Sequence, residues 1–288
     1  MNINVFEQNI NRNVCVVVEN VKNLDIGQIF RCGQAFRFNP KENGVFCGVA
    51  YDKYVEFENK NNNLYIYGAD MQDFENIWKK YLDLDTDYQK IIDSFDFEPH
   101  LKTAAQFSSG IRILNQHPFE TLISFIISQN NNIPRIKKII DALCQKAGSC
   151  IHRDNDKNYY SFPTPKAICE LGHDGLFELK TGFRAKYIYD AATKVENGEI
   201  NLNHIFQLNT SSAVDYLCKI KGVGNKVAMC TLLFGFGKKD AFPIDVWMKK
   251  VLCEHYGNNF DLSLFGDNAG VAQQYLFYYE RCKNGVFA

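Results

Sequence analysis

The sequence predicts an α+β fold: an antiparallel sheet domain over residues 1–99, then a helical domain over residues 100–288. Three observations carry this. From Cys15 to Gly68 the chain consists of short runs rich in Val, Phe and Tyr, separated by Gly and Asn clusters such as NPKENG and NKNNN. From about His100 the apolar residues recur at helical spacing instead, with Ile133, Ile136, Ile139, Ile140 and Leu143 on one face. The charge changes sign as well. Residues 1–100 hold 10 Lys/Arg against 16 Asp/Glu, and the remainder hold 22 against 17.

The runs CVVVEN, QAFRFNP, GVFCGVAYD, KYVEFEN and NLYIYG are expected strands. KYVEFEN and LYIYG alternate with period two, which suits a sheet with one face covered. A helix over 74–81 is expected to pack on it. Pro118 can sit in the first turn of a helix running FETLISFIISQ, where a missing N–H does no harm. The next helix begins near Pro134, and Gly148 is its stop signal. Further helices are expected near 184–196, 211–219, 224–234, 245–256 and 268–282.

With 288 residues, 46% of them apolar and 23% charged, the chain can bury a core without metals or disulfides. It has ten cysteines, none of them in a C-x-x-C pair, and no histidines cluster beside them. Zinc-finger and iron–sulfur spacings are therefore absent, and reduced cysteines in a cytosolic protein are expected. The opening MNINVFEQNINRN has no apolar stretch resembling a signal peptide, and no run is long enough to span a membrane. A cytoplasmic protein is expected. The net charge of −1 gives no global argument for nucleic acid. The charge distribution places any phosphate-facing surface in the C-terminal two-thirds.

The sharpest local signal is LCKIKGVGNKVAM, residues 217–229. One helix is expected to end near Lys219 and another to begin near Gly224, with the chain turning through Gly222, Val223 and Gly224. Two glycines allow positive φ and close backbone approach, and Val223 can plug into the core. N–H groups at the start of the second helix form an anion site suited to a DNA phosphate. An ordinary glycine turn is the alternative. Lys226 falls in the first turn of the second helix, where the dipole disfavours an ammonium and a neutral amine would be a nucleophile. In AFPIDVWMKK, Pro243 marks another helix start. Asp245 can cap that helix and also stabilise cationic charge at a reacting sugar. A solvated lysine and a structural cap are common in isolation, but this ordered combination is much less so.

The hairpin, Lys226 and Pro243-x-Asp245 together resemble the HhH-GPD superfamily of DNA glycosylases, in which a lysine here marks members that form a Schiff base with the sugar. Three further segments resemble the 8-oxoguanine DNA glycosylase family. GQAFRF (33–38) is similar to the motif whose Gly carbonyl accepts the N7–H of 8-oxoguanine, a role that the resemblance gives to Gly33. FIISQNNNIPRI (125–136) and TGFRAKY (181–187) are similar to the segments that contact the estranged cytosine, implying Asn130, Arg135 and Arg184, with Phe183 as the wedge. AQQYLFYYER (272–281) resembles the C-terminal helix. There Gln273 would bond the flipped base and Phe277 would stack on it, while Cys230 closes the opposite face. Helix capping by the asparagines and a core role for Phe277 are the bland alternatives. Departures from the family are Trp247 in place of a His that contacts phosphate, Lys221 in place of Pro, and Phe183 in place of a Tyr.

The resemblance implies a bifunctional glycosylase and abasic-site lyase. Its partner would be duplex DNA with 8-oxoguanine opposite cytosine, and the enzyme would act as a monomer without a membrane. No redox or nucleotide cofactor and no iron–sulfur cluster is expected. A structural cation is expected on the backbone carbonyls of Cys218, Ile220 and Val223. A glycosylase for another lesion, such as an alkylated purine, and a non-catalytic DNA-binding module are the rivals.

Overall fold

The computed structural model describes residues 4–10, 13–154, 157–257 and 261–285. Six strands form one antiparallel sheet: β1 (Val5–Ile10), β2 (Asn13–Val18), β3 (Asn39–Pro40), β4 (Phe46–Ala50), β5 (Lys53–Lys60) and β6 (Asn63–Tyr67), in the order β1-β2-β6-β5-β4-β3. The alternation of β5 is realised: Val55 and Phe57 are fully buried, and Lys53 at its start is exposed. Two-residue turns join β4 to β5 and β5 to β6. Their central residues, Tyr51–Asp52 and Asn61–Asn62, all have positive φ, which matches the twist of a tight hairpin.

The expected strand QAFRFNP is a correction, because only Asn39 and Pro40 pair with β4. The preceding residues cross between two cores, so their backbone cannot stay in a ladder. Phe38 packs in the sheet core and Phe36 in the helical core. The Gln34 side chain donates to the Arg112 carbonyl at 2.9 Å and accepts the Leu114 N–H at 2.9 Å. Three strands were not anticipated: β1, and β7 (Cys150–Asp154) with β8 (Lys157–Tyr160), a hairpin whose His152 stacks on Tyr54 at 3.9 Å.

Ten helices frame the rest of the argument: α1 (Ile26–Arg31), α2 (Pro99–Phe107), α3 (Pro118–Ser128), α4 (Ile133–Ala147), α5 (Pro165–Leu176), α6 (Ala185–Glu196), α7 (Thr210–Leu217), α8 (Asn225–Phe236), α9 (Val246–His255) and α10 (Ala269–Lys283). The expected helix over 74–81 is part of a continuous helical stretch over 71–81 that contains a π-turn. Gly148 ends α4 with extended backbone. It is required there because a Cβ would lie 2.2 Å from the Ser161 carbonyl oxygen. α3 and α8 pack closely, with Phe125 and Phe234 stacked at 5.4 Å and Gly235 set against Thr121.

The sheet core and the helical core are tied together by buried charge. Arg37 pairs with Glu120 at 3.2 Å. The guanidinium of Arg112, 1% exposed, donates to the carbonyls of Lys22, Asn23 and Asp83. No helix among the described residues is long and apolar enough to cross a membrane.

Candidate active site

The open cleft of about 1260 Å³ forms where the ends of α3 and α1 meet the starts of α8 and α9. Gly33, Ser128, Asn130, Gly224, Lys226 and Asp245 all line it. Residues distant in sequence thus share one concave surface.

The hairpin between α7 and α8 is built much as the sequence implies, with one change. Gly222 has φ +79°, and a Cβ there would sit 2.4 Å from the Tyr187 ring. Val223 is buried at 5% exposure. Gly224 instead has ordinary φ −105° as the N-cap of α8, and nothing lies within 4 Å of where its Cβ would be. Only the first glycine is required by its backbone conformation. The second leaves open space above the first N–H groups of α8, where an anion can approach.

Lys226, half-buried, extends from the second residue of α8. Its Nζ lies 3.5 Å from Ser128 Oγ at the end of α3 and 5.2 Å from the Phe125 ring. Asp245 caps α9 by accepting the Met248 N–H at 2.8 Å on Oδ1. The cap reading is therefore correct, and Asp245 also faces the cleft. Cys230, one turn beyond Lys226, is 4% exposed. Burial holds its thiol above the ordinary thiol range, reinforced by Asp245 and opposed by Lys226.

Gly33 lines the cleft, whereas Gln273, Phe277 and Cys230 are not among its lining residues. Gly33 takes φ +83°, and its open side faces the edge of Phe277, 3.8 Å from where a Cβ would be. Gln273 is 4% exposed, and its Oε1 accepts from Gln274 Nε2 at 3.1 Å. Arg281, a residue with no role expected above, also lines the cleft. Its guanidinium lies 5.1 Å from the Phe277 ring and 5.5 Å from that of Trp247. Burial lowers its pKa from the ordinary arginine value, and Asp245 opposes that shift.

The asparagine run divides its work. Asn132 caps α4, and Asn131 donates to the Ile127 carbonyl at 3.0 Å. Asn130, with φ +47°, is exposed in the cleft. Arg184 is 3% exposed and donates to the carbonyls of Gln129, Asn130 and Thr181, so it supports this turn from below. Arg135 is exposed, with a long bond to the Lys180 carbonyl at 3.5 Å. Phe183 projects at 49% exposure with the Arg184 guanidinium 4.5 Å from its ring.

Two places bear on metal binding. The carbonyls of Cys218, Ile220 and Val223 belong to one turn, in which Ile220 O accepts the Val223 N–H at 3.0 Å and keeps a second lone pair. Such hard oxygen donors fit an alkali or alkaline-earth cation. Elsewhere His100, His255 and Glu280 bring their ligand atoms within 4.8 Å. The two imidazoles stack at 3.7 Å and 16°, so one ion cannot lie in both ring planes as imidazole ligation requires.

Comparison with known proteins agrees with this geometry. Residues 16–122 match the 8-oxoguanine DNA glycosylase N-terminal domain, and residues 123–261 match the HhH-GPD superfamily of base excision DNA repair proteins. The structure of the Clostridium acetobutylicum 8-oxoguanine glycosylase/lyase, in complex with double-stranded DNA containing cytosine opposite 8-oxoG, is 40% identical with a TM-score of 0.92. The match covers 99% of this chain and 100% of that one. MBOgg1 in complex with a low-affinity DNA ligand is 41% identical with a TM-score of 0.93, at the same coverage. The N-glycosylase/DNA lyase of Saccharomyces cerevisiae is 35% identical over 189 residues, which is 62% of this chain and 50% of the yeast protein. The chain thus spans about half the length of that curated relative.

Proposed function

This chain belongs to the 8-oxoguanine DNA glycosylase family of the HhH-GPD superfamily, and on that premise we propose that it excises 8-oxoguanine opposite cytosine in duplex DNA and then cleaves the strand at the resulting site. The observation that carries this reading is the shared cleft. Lys226, Asp245 and Gly33 line one surface beside a hairpin whose helix N-terminus suits a phosphate.

The hairpin grips the backbone of the lesion strand, and Phe183 fills the gap left by the extruded base. The base enters between Phe277 and Cys230, with the Gly33 carbonyl accepting N7–H. Guanine has no proton at N7 and would leave that acceptor facing a lone pair. Gln273 reads the opposite edge. The neutral Lys226 amine attacks C1′ and the glycosidic electron pair leaves with the base, while Asp245 stabilises the positive charge on the sugar. The resulting aminal opens as the C1′–O4′ bond breaks and O4′ takes the proton that the amine gives up, leaving an iminium. The iminium acidifies the C2′ proton, and removal of that proton expels the 3′ phosphate by β-elimination. Asn130 and Arg135 pair with the estranged cytosine, and Arg184 holds the turn that presents Asn130.

No redox or nucleotide cofactor enters these steps. The carbonyls of Cys218, Ile220 and Val223 would hold a cation that supplies positive charge facing a DNA phosphate. The enzyme acts as a cytoplasmic, nucleoid-associated monomer. Release of free base from duplexes carrying either 8-oxoguanine opposite cytosine or 3-methyladenine tests the substrate. Release from the first alone is expected, and release only from the second would overturn the assignment.

A further inference from the structure

The hairpin turn is held from one side by α6. Lys194 Nζ donates to the Lys219 carbonyl at 2.7 Å and pairs with Asp190 Oδ2 at 3.1 Å. The same carboxylate oxygen accepts the Lys221 N–H at 2.7 Å. Earlier on the same helix, the Tyr187 ring fills the space that a side chain at Gly222 would need. Spacings of three and four residues put Tyr187, Asp190 and Lys194 on one face of α6. The Lys194 and Asp190 side chains are 23% and 25% exposed, so this pair is better shielded than an ordinary surface ion pair. Each partner also bonds the hairpin backbone, and this gives the pair a definite geometry. Tyr187 in turn meets the Phe183 ring edge-on at 6.0 Å. A continuous chain of contacts therefore runs from the expected wedge, through α6, to the turn that faces DNA.

We propose that Asp190 and Lys194 are positioning residues for backbone capture, holding the 219–222 turn so that the first N–H groups of α8 meet a phosphate in register with Phe183. The inference rests on the DNA-binding reading given above. Neither residue lines the cleft around Lys226. Their loss should therefore weaken binding and leave the chemistry of bound DNA intact.

The test measures two quantities: binding of a duplex with a tetrahydrofuran abasic analogue by fluorescence anisotropy, and single-turnover β-elimination on an abasic duplex at saturating enzyme. Lys194→Met is expected to weaken binding about tenfold, the effect of losing a charge-assisted hydrogen bond. Its saturating elimination rate should stay within about twofold of wild type, and Lys194→Arg should recover most of the binding. Asp190→Asn, which keeps an oxygen for the Lys221 N–H, should weaken binding to a lesser degree. Lys194→Met binding as tightly as wild type would overturn the inference, and so would binding and saturating rate falling together. Those results leave the DNA reading standing. A wild-type protein that binds neither duplex would overturn both.

Discussion

The Lys226 Nζ lies 3.5 Å from the Ser128 hydroxyl oxygen. That hydroxyl donates to the Phe125 carbonyl at 2.8 Å, so its oxygen faces Lys226 as an acceptor. Ser128 thus orients the amine from the end of a different helix. Ser128→Ala should slow single-turnover β-elimination severalfold, to at most about tenfold, because the contact is long for a hydrogen bond. DNA affinity should be unchanged. A variant with the wild-type rate would remove Ser128 from the site.

Asp245 has two roles that substitution can separate. Asparagine is as good an N-cap as aspartate, so Asp245→Asn should keep the stability of α9 while losing the negative charge. The elimination and excision rates should fall by about 100-fold or more, as when an electrostatic group at a transition state is removed. Asp245→Ala should lose the cap as well, at a cost of about 1 kcal/mol. Thermal melting beside single-turnover kinetics checks both halves. An Asp245→Asn enzyme of full activity would leave the residue as a cap alone.

Arg281 lies against both Phe277 and Trp247 and so fixes the ring on which a flipped base would stack. Arg281→Met should slow release of 8-oxoguanine but spare β-elimination at a preformed abasic site, where no base needs a pocket. Arg281→Lys should restore the charge without the flat guanidinium, and recover little. Equal loss in both reactions would mean that Arg281 supports the fold or Asp245 in place of the base pocket.

The two hairpin glycines should behave differently. Gly222→Ala combines a positive φ with a clash against the Tyr187 ring, and should lower stability by more than about 1 kcal/mol as well as DNA affinity. Gly224→Ala has room for its methyl group and an ordinary φ. It should melt near wild type yet bind DNA more weakly, since the methyl sits where a phosphate approaches. Denaturation and anisotropy on both variants distinguish these outcomes.

Much of the fold was legible because its signals are local. Alternation identified β5 and β6, and the long helices showed their apolar faces. β1 escaped notice because VFEQNI does not alternate apolar with polar residues and forms an edge strand with a single partner. QAFRFNP misled because its apolar side chains alternate, but toward two different cores. Lys226 and Asp245 were legible through the hairpin and the capping pattern around them. Ser128 and the Arg281–Trp247 contact were not, since they join elements far apart in sequence and leave no periodic trace. Arg184 read as a DNA contact, whereas its burial beneath Asn130 depends on where three backbone carbonyls come together.

Borohydride trapping on a duplex with 8-oxoguanine opposite cytosine tests the central claim most directly. The wild-type chain should form a covalent protein–DNA adduct, and Lys226→Gln should form none while still binding the duplex. The absence of an adduct with wild type, or an equal adduct with Lys226→Gln, would contradict the account.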